Sequence, residues 1–132
     1  MIVGTEWLVE AAGCDKAALR DEATVRLILD SLISDLGLKS VGTVWHKFEG
    51  EGGVTGMIAL TESHIACHTY PEHGIATFNL YCCRNRPEWD WDVRLKQFLK
   101  AERVHVTRVD RGAPNPQAEV RDLKSSRAGG TQ

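Results

Sequence analysis

The residues richest in chemistry fall in one short run, 61–83, TESHIACHTYPEHGIATFNLYCC. It holds His64, His68 and His73, three of the four cysteines (Cys67, Cys82, Cys83) and the pair Glu62-Ser63. Three chemistries compete for it. The plainest is a packed core, since buried cysteine behaves as a small hydrophobe. A zinc site would draw on His64, Cys67, His68, Cys82 and Cys83, but the paired C-x-x-C and H-x-x-x-H elements of ordinary zinc sites are missing. The third starts from Ser63, with His68 five residues away as a base. No G-x-S-x-G elbow is present, which argues against an ordinary serine hydrolase.

A different serine chemistry fits the run better. The Ser63 hydroxyl can attack the carbonyl of Glu62, converting the amide to an ester. A base then removes the α-proton of Ser63 and expels the Glu62 carboxylate. Hydrolysis of the resulting dehydroalanine leaves a pyruvoyl group at a new N-terminus.

The run resembles the processing site of the bacterial S-adenosylmethionine decarboxylases, a pyruvoyl-dependent family. The resemblance is carried by Glu62-Ser63-His64, by His68-Thr69-Tyr70-Pro71-Glu72, by Gly74 and by Cys83. It extends outward through Gly4 and Glu10-x-x-x-Cys14, His46-Lys47-Phe48, Gly53-Val54-Thr55-Gly56, Leu99-Lys100-Ala101 and Arg103-Val104-His105-Val106, over about residues 4–110. It implies cleavage between Glu62 and Ser63, giving a β chain of residues 1–62 and an α chain headed by pyruvoyl. It implies His68 as the processing base, Thr55 as a processing hydroxyl in place of a family serine, and Cys83 as the acid that returns a proton to the substrate carbon. A thiol is a weak enough acid to hold that proton at neutral pH and yield it to a carbanion.

The same resemblance implies a Schiff base between the pyruvoyl ketone and the substrate amine, with no metal and no pyridoxal phosphate. The default reaction is decarboxylation of S-adenosylmethionine to the aminopropyl donor for spermidine. Some family members act instead on L-arginine or L-ornithine, whose cationic ends need a carboxylate that Glu6, Glu49 or Glu51 could supply. An adenine needs an aromatic slot, for which Phe48, Tyr70 and Trp7 are the candidates. An inactive paralogue serving as a partner subunit is the non-enzymatic alternative; intact Ser63, His68 and Cys83 speak against it.

The elements that must hold these residues follow from periodicity. Residues 5–10, 41–48, 54–61, 64–69, 75–83 and 103–109 read as strands. Val25, Ile28, Leu29, Leu32, Ile33 and Leu36 give a helix over 21–36 one apolar face, with Gly37 as its stop. Residues 90–101 read as a second helix. The order β-α-β-β-β-β-α-β predicts an α+β two-layer sandwich, a largely antiparallel sheet with both helices on one face. Residues 1–111 form one domain, and the Gly-, Pro- and Ser-rich stretch 112–132 is expected to be a mobile polar tail.

Composition narrows the function classes. The 132 residues are 42% hydrophobic and 26% charged, with a net charge of −2. That balance gives no support to nucleic-acid binding. No apolar run reaches membrane-helix length and no signal-peptide pattern opens the chain, so a cytoplasmic protein with reduced thiols is expected. So short a chain leaves little room for a cleft within one protomer, which predicts a homodimer of cleaved protomers, or a higher even oligomer, with sites at or near the interface.

Overall fold

The structure, a computed structural model, describes residues 1–112 and the backbone of 118–124. Strand β1 (Gly4–Ala12) is followed by α1 (Lys16–Arg20), α2 (Glu22–Leu36), β2 (Ser40–Lys47), β3 (Val54–Leu60) and β4 (Ser63–Tyr70). A 3-10 turn (Pro71–His73) leads to β5 (Ile75–Cys82), α3 (Trp91–Leu99), β6 (Arg103–Arg111) and β7 (Ala118–Lys124). The seven strands form one sheet in the order β2-β3-β4-β5-β1-β6-β7, antiparallel at every pairing.

Strand alternation sorts the side chains into two faces. Trp7, Val9, Ala11, Ile58, Ile65, Cys67, Phe78, Leu80, Val104 and Val106 are buried beneath the helices. Helix α2 adds Val25, Ile28, Leu29, Leu32 and Leu36 to that core, and α3 adds Trp91, Leu95 and Leu99. The opposite face carries no helix among the described residues. It presents Val44, Met57, His64, His68 and Tyr70, all exposed. The expected α+β sandwich is therefore the observed one.

Two elements differ from expectation. Helix α1 is an addition, so the helical layer holds three helices; Asp15 caps it by accepting the Ala18 N–H at 3.1 Å. Its five residues are too few for a periodic signal. The expected tail is the other difference. Residues 118–124 form β7, antiparallel to β6 over Arg103–Val109. Strand β6 would otherwise end the sheet with unpaired backbone groups, and β7 satisfies them. Residues 113–117 and 125–132 of that expected tail lie outside the described residues.

Candidate active site

Glu62 occupies the bend between β3 and β4, and Ser63 is the first residue of β4. The antiparallel pairing sets Ser63 opposite Cys82 on β5. Just beyond that pair the Cys83 N–H donates to the Glu62 carbonyl oxygen at 3.2 Å. The bond that joins Glu62 to Ser63 thus has its carbonyl already polarised by a backbone donor. Arg84 follows at once and grips the Glu62 carboxylate with two donors, Nη2 to Oε2 at 2.8 Å and Nε to Oε1. Those hydrogen bonds hold the Glu62 carboxyl below the usual carboxylate range.

The neighbouring cysteines diverge as alternation requires. Cys82 is buried and meets the Ser63 hydroxyl; burial raises its thiol pKa, and the Ser63 contact offsets part of the rise. Cys83 is exposed, and its thiol meets the Tyr81 hydroxyl. Burial pushes Cys14 to about 11 and Cys67 to about 12. Reaction with iodoacetamide at neutral pH is therefore expected to label Cys83 first, and the other three only after unfolding, as read by peptide mass mapping. Labelling of Cys82 ahead of Cys83 would reverse the assignment of the accessible thiol.

The second cluster lies at the other end of β4. Thr55 and His68 are cross-strand partners, and the Thr55 hydroxyl lies 3.1 Å from His68 Nδ1. Both line an open cavity of about 400 Å³ together with Phe48, Gly53, Tyr70 and Glu72. Gly53 must be glycine, because a Cβ there would run into the Thr69 carbonyl oxygen. Thr69 anchors this rim from below: its buried hydroxyl donates to the Leu19 carbonyl at 2.7 Å and accepts the Val54 N–H at 2.8 Å. Neither Thr69 nor Glu72 stood out as a site residue in the sequence, although both belong to the motif that carries the resemblance.

The structure brings together Phe48, Thr55, His68 and Tyr70, and separately Glu62 and Ser63 with the main chain of Cys83; the Cys83 thiol turns to Tyr81, and the thiol that meets the Ser63 hydroxyl is that of Cys82. The fold does not bring the two groups together within one chain. Five strand residues separate Ser63 from His68, about 16 Å at 3.3 Å per residue, and an odd spacing sends their side chains to opposite faces. Trp7 is a correction. It is buried in the core with Val9 and Ala11, its indole N–H donating to Glu88 at 3.3 Å, and it lines no part of the cavity. Glu6 is displaced as well. It lies on the open face beside Tyr81, where Asn79 Nδ2 and Arg111 Nη1 both donate to its carboxylate.

The sequence model of the S-adenosylmethionine decarboxylase family matches residues 5–112. This chain belongs to the S-adenosylmethionine decarboxylase family. Among its relatives, the S-adenosylmethionine decarboxylase proenzyme of Pyrococcus abyssi is 36% identical over 112 residues, covering 83% of this chain and 79% of that one. The proenzyme of the same name from Moorella thermoacetica is 34% identical over 115 residues, 86% of this chain and 91% of the relative. The crystal structure of the adenosylmethionine decarboxylase from Aquifex aeolicus superposes with a TM-score of 0.74 at 25% identity, covering 86% of this chain and 94% of that one. These family matches fall on the part of the chain that carries both clusters.

Proposed function

We propose that this member of the decarboxylase family cleaves itself between Glu62 and Ser63 and then decarboxylates S-adenosylmethionine, the amino acid named by its relatives. The observation that carries the reading is the Glu62 carbonyl held on the Cys83 N–H, directly before Ser63. The residues present fit a pyruvoyl group: a serine at a chain bend, a preceding carbonyl polarised by the Cys83 N–H, and an exposed thiol on that same Cys83. When formed, that group supplies the electron sink that a departing carboxylate requires.

The chain's own residues do the rest. Ser63 Oγ is the nucleophile of processing. Thr55 orients His68, which takes the proton, and Cys83 gives a proton back to the substrate carbon. Phe48 and Tyr70 offer faces for an adenine, and Glu72 offers acceptors for ribose hydroxyls. A cationic substrate has less support. Glu51 pairs with Arg20 at 3.2 Å and Glu6 with Arg111, so two of the three carboxylates suited to arginine or ornithine are already engaged.

The working unit is a homodimer in which a second copy brings its Thr55–His68 cluster to this copy's Ser63. The separation of the two clusters within one chain supports it. The helix-free face offers a surface through which two copies would meet: Gly42, Val44, Met57, Ala59 and His64 line an apolar depression there of about 440 Å³. Such a face is suited to a self-complementary twofold contact. No helix among the described residues is long and apolar enough to cross a membrane.

The test is direct. Intact-mass analysis of the expressed protein should find two pieces, residues 1–62 and 63–132. Carbon dioxide should then be released from S-adenosylmethionine and not from arginine or ornithine. A single uncleaved species of 14.6 kDa, or release from one of the two amino acids alone, would overturn the proposal.

A further inference from the structure

Resting on the self-cleavage reading, we propose that Arg84 is a positioning residue for that reaction. It fixes Glu62 so that the carbonyl to be attacked stays on the Cys83 N–H. Glu62 lies in a bend outside the strands, so no regular ladder holds it. Its preceding neighbour Thr61 is tied to the Lys39 carbonyl at 3.0 Å, and beyond that the restraint comes from one short stretch, 83–84. The main chain of Cys83 takes the Glu62 carbonyl, and the side chain of Arg84 takes both Glu62 carboxylate oxygens. A two-donor fork restrains rotation as well as distance, which a single ammonium would not do.

Charge adds a second reason. In the acyl shift Ser63 Oγ forms a bond to the Glu62 carbonyl carbon, the carbon–nitrogen bond breaks, and the serine nitrogen takes up the proton lost by the hydroxyl. Negative charge builds on the Glu62 carbonyl oxygen between those two events. An unpaired carboxylate on the same residue would oppose that charge. Arg84 neutralises it, and Arg86, anchored on the Leu36 carbonyl at 2.9 Å, adds positive charge nearby.

The experiment follows precursor disappearance by intact mass in freshly refolded wild-type, Arg84→Gln, Arg84→Lys, Glu62→Gln and Glu62→Gln/Arg84→Gln proteins. Arg84→Gln should cleave on the order of ten- to a hundredfold more slowly, the scale set by misplaced reacting groups. Arg84→Lys should fall between it and wild type. In the Glu62→Gln background, Arg84→Gln should add nothing, because the two act through one contact. Raising salt should slow the wild type more than Glu62→Gln, since the pair is exposed. Unchanged cleavage in a folded Arg84→Gln protein, or equal slowing with and without the Glu62 carboxylate, overturns the role of Arg84. A wild-type protein that never cleaves overturns the self-cleavage reading itself, so the two failures are distinguishable.

Discussion

Ser63→Ala protein is expected to remain a single chain of 14.6 kDa and to release no carbon dioxide from S-adenosylmethionine. The expectation is total loss of both properties, because one oxygen atom serves both. Without Ser63 Oγ no ester forms at Glu62, no leaving carboxylate is created, and no ketone appears at position 63. The fold should survive. Ser63 is half-buried at a strand end, its hydroxyl meets only the Cys82 thiol in the core, and the Cys83 N–H bond to Glu62 is made by backbone. Thermal unfolding should stay cooperative and close to that of the uncleaved wild type. Hydroxylamine gives the complementary reading, since it splits the ester of a wild-type precursor and leaves the alanine variant intact. Cleavage of Ser63→Ala at the same bond would remove Ser63 as the nucleophile.

The second large effect concerns the distance between the clusters. His68→Ala and Ser63→Ala chains should each fail to cleave when expressed alone. Co-expressed with different tags, the His68→Ala chain should be cut, because it keeps Ser63 and receives His68 from its partner. With random mixing, about half of the His68→Ala chains find a complementing copy in a twofold dimer. The tagged mass of the product tells which chain was cut. A mixture that stays uncut would place both groups in one protomer, against a separation of about 16 Å set by strand geometry.

Much of the scaffold was legible because its strands alternate cleanly. Residues 75–83 and 103–109 were read almost to their observed limits, and Val25 to Leu36 located α2. Helix α1 escaped because five residues hold too little periodicity, although Asp15 three positions before Ala18 was a usable cap signal. Strand β7 escaped because AEVRDLK is too polar to announce burial; its reason for being a strand lies in β6, not in itself. The residues around Glu62 were legible as a motif. What could not be read was which face each residue occupies relative to a partner. Trp7 shows the avoidable error: it shares parity with Val9 and Ala11, so alternation alone places it in the core. Arg84 carried no signal, since its meaning comes only from the register that sets it beside Glu62.

The strand order has a last consequence. Cutting after residue 62 assigns β1, β2 and β3 to one piece and β4, β5, β6 and β7 to the other. In the sheet β1 lies between β5 and β6, so the pieces interlock along β3–β4, β5–β1 and β1–β6. Neither piece can leave without dismantling the sheet centre. Cleavage therefore turns unfolding into dissociation of two chains, and the melting temperature of the cut protein should rise with its concentration.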